Sequence, residues 1–173
     1  MHQYKTLSRP SVRQAHAPIV KVGLDWEAAG WAGLAAGAVF LALQTILAAA
    51  AGGGATVALR QIAAVALGSS VVSPSAPLST LVVLAAVAVH LPLSLLYARA
   101  LAALIDGRPT GIALAAGAAF GAAIYGVNYL LIGSRMPWVS AARGWAPFSS
   151  HVAFGLVAAA VYSSLARRKS GFR

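Results

Sequence analysis

Two histidines lie within long apolar stretches, and their side chains are the ones in this chain best suited to chemistry. His90 and His151 each fall in a predicted membrane span, where an ionisable side chain is costly and usually marks a site. Imidazoles can ligate copper, zinc or a haem iron, or they can take part in proton-linked transport. The interpretation we favour is a neutral histidine that hydrogen-bonds to Ser94, Tyr125 or Asn128.

Whether the two histidines meet depends on where the second span leaves the membrane. If Arg99 lies at the inner boundary, His90 lies near the middle of the membrane, roughly a dozen Å deeper than His151. If Ile105 lies at that boundary instead, His90 rises to the level of His151. In the second geometry the histidines belong to one polar cluster in the outer half of the membrane, whose other members are Gln44, Tyr125 and Asn128.

Membrane-spanning helices must position these side chains, because the composition excludes an ordinary soluble domain. Hydrophobic residues make up 60% of the 173 positions and charged residues only 9%, where about a quarter is usual. The mean hydropathy is +0.78. The sequence therefore predicts an all-α polytopic membrane protein, a bundle of four transmembrane helices. The predicted spans cover residues 28–51, 78–105, 111–132 and 148–166.

The segments between the spans indicate how the helices are connected. Three glycines at 52–54 end the first span, and a short interfacial helix is predicted over 56–67, between spans one and two. A tight turn at 106–109 makes spans two and three antiparallel neighbours. Tryptophans alternate with cations over 135–147, which is typical of a membrane–water interface.

The distribution of cations predicts the orientation of the chain. There are 13 Lys and Arg against 3 Asp and Glu, and basic tails are predicted at 1–27 and 167–173. With the N-terminus inside, Arg60, Arg135 and Arg143 face outward and the other ten cations (13 − 3) face the cytoplasm, as the positive-inside rule requires. Both termini are therefore predicted to be cytoplasmic, and the charge is an orientation signal rather than a nucleic-acid surface.

Glycines four residues apart predict where the helices pack. Gly33 with Gly37 and Gly117 with Gly121 form GxxxG patterns, which allow two helix backbones to approach closely. We favour packing within the chain over a homodimer face. The segments LAAGAVF at 34–40 and LAAGAAF at 114–120 are identical at six of seven positions. A parallel two-plus-two repeat would produce this match, as would chance similarity between Ala- and Gly-rich helices.

Several segments resemble a known family: GWAGLAAGAVF from residue 30, HLPLSLLY from residue 90, GAAFGAAIYGVNY from residue 117, MPW from residue 136 and HVAFG from residue 151. They are similar to small proteobacterial inner-membrane proteins that are often labelled sodium:proline symporters. The resemblance extends from Gly30 to Tyr162 and implies a bacterial inner membrane, without an established activity. The histidines that match the family's segments are His90 and His151.

The residue types exclude several functions and leave three open. No predicted span contains Asp or Glu, and the chain has no cysteine, no serine-nucleophile motif and no phosphate-binding glycine loop. We expect a non-catalytic accessory or assembly-type subunit of a membrane complex, with lipid and other membrane subunits as partners and no cofactor. The first alternative is a membrane protein that binds haem, copper or zinc through its histidines. The second is a small transporter or channel that works as a homo-oligomer.

Overall fold

Four long helices form the bundle in the computed structural model, which describes residues 23–73 and 75–171. All four are long and apolar enough to cross a membrane, and a short helix lies between the first two, so the predicted all-α four-span architecture is confirmed. Residues 1–22 and 172–173, which belong to the predicted basic tails, lie outside the described residues. The helices are α1 (Trp26–Ala50), α2 (Val57–Leu67), α3 (Thr80–Ile105), α4 (Thr110–Gly126), α5 (Pro137–Ala141) and α6 (Trp145–Gly171), and a π-helical segment (Val127–Ile132) continues α4.

Residues at the helix ends explain where the spans begin and stop. The Asp25 carboxylate accepts a hydrogen bond from the backbone N–H of Ala28 at 3.0 Å, which caps the start of α1. Beyond α1 the chain turns through Gly52 at a φ of 80°, a conformation that glycine adopts without strain. Helix α6 begins at Trp145, three residues before the predicted start. It can do so because Pro147 falls in the first helical turn, where a missing N–H breaks no helical bond.

The contacts among the spans do not follow their order in the sequence. Helix α6 packs closely against both α1 and α4, and α3 packs against α1. Helices α3 and α4 are joined by the 106–109 turn but make little contact along their length. The expectation that they are packed neighbours is therefore wrong beyond the turn itself. We call the end of the bundle with this turn the turn end, and the opposite end, which carries α2 and α5, the connector end.

Glycines set the short distance between α4 and α6. A Cβ atom added at Gly121 would collide with the backbone of His151, and one added at Gly117 would collide with the backbone of Gly155. A Cβ atom at Gly155 would in turn strike the carbonyl group of Gly117. There is thus no room for a side chain at these crossing points, and the two helices meet backbone to backbone.

The glycine pair of α1 faces α3 in the same chain. A Cβ atom at Gly33 would lie 3.0 Å from the carbonyl oxygen of Ser94 and 3.1 Å from the Cβ of Ala98. At Gly37 it would lie 2.7 Å from the Ser94 hydroxyl and 3.3 Å from the His90 ring. Both GxxxG pairs therefore lie at helix contacts within this chain, one on α3 and the other on α6.

Helix α2 packs along α3 and carries a buried cation. Arg60 is only 8% exposed, and its guanidinium donates to the Thr56 hydroxyl at 3.3 Å and to the Ser73 carbonyl at 3.4 Å. These bonds tie the start of α2 to the segment that leads into α3. All three carboxyl side chains of the sequence lie at the turn end, away from Arg60: Asp25, Glu27 and Asp106.

Gly121→Ala is expected to lower the free energy of unfolding by about 1–3 kcal/mol, because its methyl group must displace backbone atoms of α6. Gly111 lies on the same helix with nothing within 4 Å of an added Cβ. Gly111→Ala should therefore leave stability unchanged or raise it by up to about 1 kcal/mol. Thermal unfolding in detergent measures both variants. Equal effects for the two substitutions would contradict the close approach of α4 and α6.

Candidate functional site

A cavity of about 170 Å³ lies between α3 and α4, where the two spans separate. Helices α1 and α6 form its back wall, and α2 and α5 border it at the connector end. Its surface is mostly apolar, with several side chains that carry polar atoms: Gln44, Gln61, His90, Ser94, Tyr97, Asn128, Tyr129, Trp138 and His151. Four members of the predicted polar cluster therefore reach this cavity, and Tyr125 packs behind His151.

A chain of hydrogen bonds crosses the back of the cavity. The Tyr97 hydroxyl donates to Oδ1 of Asn128 at 3.4 Å, and Nδ2 of Asn128 donates to Nε2 of His151 at 3.1 Å. On the other side of the ring, Nδ1 of His151 donates to the carbonyl of Pro147 at 2.7 Å. These bonds fix His151 as a neutral imidazole that carries its proton on Nδ1, and they connect α3, α4 and α6.

His90 bonds to the backbone of α1. Its Nε2 lies 2.9 Å from the carbonyl oxygen of Gly37 and 3.4 Å from the Ser94 hydroxyl. A carbonyl oxygen can only accept, so Nε2 carries the proton and donates it to Gly37. The close approach that Gly37 allows at this crossing is what brings its carbonyl within reach of the ring.

The ring of Phe40 brings the two histidines to the same level in the bundle. It stacks on His90 with ring centroids 5.4 Å apart and meets the edge of His151 at 4.8 Å. Of the two geometries that the sequence left open, the structure therefore shows the one in which His90 and His151 lie at one depth. The aromatic residue that joins them was not singled out from the sequence, because an isolated Phe in an apolar span has no distinguishing pattern.

Gln44 and Tyr125 hold the remaining sides of the cluster. Gln44 is buried, and its Oε1 accepts from the Ser150 hydroxyl at 3.4 Å, which links α1 to α6. The Tyr125 hydroxyl accepts from the backbone N–H of Gly144 at 3.3 Å. Its ring lies 5.8 Å from that of His151 and 4.9 Å from that of Tyr129. Both residues therefore serve to hold the wall of the cavity in place.

The π-helical segment at the end of α4 orients the residues that face the cavity. Its adjacent residues Asn128 and Tyr129 both line the cavity. The backbone N–H of Gly133 bonds to the carbonyl of Asn128 at 3.0 Å, five residues back, which closes the π turn. Such segments occur often at functional sites. The sequence predicted a regular helix to 132, since no simple residue pattern signals a π turn.

The connector helices contribute two cavity residues that the sequence interpretation placed elsewhere. Gln61 falls within the predicted interfacial helix, and it faces the cavity from α2. Trp138 was assigned to an interfacial belt, but it lines the cavity from α5, and its Nε1 is buried with no hydrogen-bond partner among the described residues. The position of Trp138 next to a proline at the start of a helix does not predict that it lines a cavity. Only the tertiary structure places α5 over the cavity.

Metal ligation by His90 and His151 stays a prediction. Both nitrogens of His151 are engaged, so a metal ion would have to displace Asn128 from Nε2. Among residues 23–73 and 75–171, no group of three or more His, Cys, Asp and Glu side chains is placed to hold a metal ion. The geometry shows both imidazoles in hydrogen bonds between helices, but the partner of His90 on another helix is the Gly37 carbonyl and not Tyr125 or Asn128.

A second polar contact lies at the turn end. The Tyr162 hydroxyl donates to the Asp106 carboxylate at 2.6 Å, and the Tyr162 side chain is 2% exposed. One of three carboxyl groups in the chain is thereby used to join α6 to the turn between α3 and α4. This bond closes the turn end, whereas the same two spans separate around the cavity.

The fold and the cavity together define the class of this protein: a four-span α-helical membrane protein with a binding-sized cavity between two of its spans. No known protein family matches the sequence, and no curated protein or solved structure is significantly similar to it. The family resemblance noted in the sequence therefore stays a prediction, and the functional argument rests on the site.

Asn128→Leu is expected to lower the free energy of unfolding by about 1–3 kcal/mol, because Nε2 of His151 loses its donor while remaining buried. The neighbouring Val127 is 43% exposed, so Val127→Leu should change stability by no more than about 0.5 kcal/mol. Thermal unfolding in one detergent measures both. A neutral Asn128→Leu would mean that the hydrogen-bond chain does not hold the three helices together.

Proposed function

We propose that this chain is a non-catalytic integral membrane protein whose cavity holds a small, uncharged, lipid-soluble molecule. The observation that supports the proposal is the cavity itself: a mostly apolar space of about 170 Å³ with a few converging polar groups. That combination is the usual character of a ligand site. An apolar cavity of about 150 Å³ accepts a molecule the size of benzene. A single ring, or the ring of a longer molecule, is therefore the size class that fits.

The cavity favours an uncharged occupant. None of its lining residues is Asp, Glu, Lys or Arg, and the three carboxyl side chains of the sequence lie at the turn end. A charged ligand would lose its hydration without gaining a counter-charge. His151 does not supply one, because its Nε2 accepts from Asn128 and therefore carries no proton.

The separation of α3 from α4 supplies a route into the cavity. These spans make little contact along their length, and several apolar residues on their lipid-facing sides are strongly exposed, including Leu93 on α3 and Ile132 at the end of α4. Both of these residues also line the cavity. A lipid-soluble molecule would therefore enter sideways from the bilayer, and any apolar tail would remain in the lipid.

The proposed role is that of an accessory subunit of a membrane complex, as the sequence led us to expect. The polar groups that could act on a bound molecule are largely used to join helices, which suits a holding role better than a catalytic one. The distribution of cations supports an orientation with both termini in the cytoplasm, and the family resemblance supports a bacterial inner membrane. In that orientation the connector end, with α2 and α5, faces the periplasm.

Val139→Phe is expected to abolish binding of toluene, because Val139 lines the cavity from α5 and the added ring occupies it. Val39 is 40% exposed on α1, so Val39→Phe is the matched control that adds the same ring outside the cavity. Toluene should raise the melting temperature of the wild type and of Val39→Phe, as any ligand of the folded state does. Val139→Phe should show no such rise. Equal rises in all three proteins would mean that toluene acts on the detergent and not in the cavity.

The proposed orientation can be tested with single cysteines, since the chain has none of its own. Ser70→Cys lies at the connector end and Arg108→Cys at the turn end, and both positions are exposed. In intact cells, a membrane-impermeant maleimide should label the first and not the second. The reverse pattern would place both termini outside.

A further inference from the structure

The hydrogen-bonding groups around the cavity indicate which chemical class of ligand the cavity would bind. The apolar groove between α1, α2 and α3 holds about 220 Å³, but nothing indicates what fills it. Arg60 is buried without a carboxylate, yet it is held by Thr56 and Ser73. The polar groups at the cavity, in contrast, are of two kinds. Some have hydrogen-bond partners within the protein, and others have a donor or acceptor without a partner, which we call open.

Most of the polar groups at the cavity are satisfied by other helices. Asn128 accepts from Tyr97 and donates to His151, whose second nitrogen donates to Pro147. Gln44 accepts from Ser150 and also bonds to the Tyr129 hydroxyl. Each of these groups is therefore engaged within the protein.

His90 is different, because one of its ring nitrogens is open. Nε2 donates to the Gly37 carbonyl at 2.9 Å, so in the neutral ring Nδ1 is a bare acceptor. No described residue donates to Nδ1. Nδ1 is also not sealed inside the protein. Among residues 23–73 and 75–171, the one side-chain nitrogen or oxygen that is fully buried without a partner is Nε1 of Trp138, so Nδ1 of His90 is accessible. The ring lines the cavity and also the neighbouring groove between α1, α2 and α3, and in the neutral form it presents an accessible acceptor.

One further open group lies at the cavity. The Gln61 amide, on α2, has no hydrogen-bond partner among the described residues, and it can both donate and accept. Trp138 lines the cavity from α5, but its indole N–H is fully buried within the protein and does not reach the cavity. The open groups thus comprise an acceptor on α3 and an amide on α2, and both side chains line the same cavity.

We infer that the molecule bound in this cavity carries a hydroxyl group, which donates to Nδ1 of His90 and accepts from Gln61. This inference rests on the proposed function and adds the chemical class of the ligand: an uncharged, ring-sized alcohol or phenol. A hydroxyl is the smallest uncharged group that both donates and accepts. Within lipid it has few competing partners, so the bond to His90 adds directly to affinity.

Phenol and toluene are the matched probes, because they have the same number of heavy atoms and differ in the hydroxyl. Binding is measured to the full-length wild-type protein in detergent, with free concentrations corrected for partition into micelles and Val139→Phe as the blank. Phenol is expected to bind about tenfold more tightly than toluene, the effect of one hydrogen bond that lipid does not replace. In protein labelled with ¹⁵N-histidine, the Nδ1 resonance of His90 should shift with phenol and not with toluene.

Variants separate the hydrogen bond from the fold. His90→Gln can keep a donor toward Gly37 and an acceptor toward the ligand, and it should retain part of the preference for phenol. His90→Phe should remove the preference, and toluene binding shows whether that variant has kept its cavity. His90→Gln also identifies the His90 resonance among those of the four histidines.

The outcomes distinguish the inference from the proposed function. If toluene binds and Val139→Phe blocks it, but phenol has no advantage and the Nδ1 resonance is unmoved, the hydroxyl inference is overturned and the cavity function stands. If neither probe binds to the wild type in a manner that Val139→Phe blocks, both are overturned. A phenol preference that persists in His90→Phe would assign the hydroxyl to Gln61 and overturn the role given to His90.

Discussion

The backbone contact between α4 and α6 is the constraint on which the rest of this structure depends. Gly117 and Gly121 meet Gly155 and the backbone of His151 so closely that no side chain fits between them. Because lipid provides no hydrophobic drive between helices, such close packing of small residues is a main source of affinity between spans. Helix α4 is held against α6 and makes little contact along α3, although a turn of four residues joins α3 to α4.

The cavity follows from that choice of partner. Helix α3 is held to α1 through Gly33 and Gly37, while α4 is held to α6, so the gap opens between two spans that are consecutive in the sequence. Polar side chains then keep the gap from collapsing: Asn128 joins Tyr97 to His151 across its back wall. The same groups stabilise the bundle and shape the site, which explains why most of them are satisfied without a ligand.

The two histidines differ in how many of their ring nitrogens form hydrogen bonds within the protein. His151 uses both ring nitrogens within the protein, so it acts as a connector between helices. His90 uses one, toward the carbonyl of Gly37, and its other nitrogen is open. Two residues of the same type, at the same depth and in contact with the same phenylalanine, thus differ in what they offer to a bound molecule.

The sequence by itself determined the four spans, the short helix between the first two and the glycines at the helix contacts, because hydropathy and small-residue spacing act locally along one helix. It also identified most of the polar cluster, since polar residues are rare in these spans. Only the tertiary structure decided that α3 and α4 separate, that Phe40 contacts both histidines and that Gln61 and Trp138 face the cavity. These features depend on which helices pack against each other. All pairs of helix faces compete for these contacts, so the sequence of a single segment does not determine the outcome.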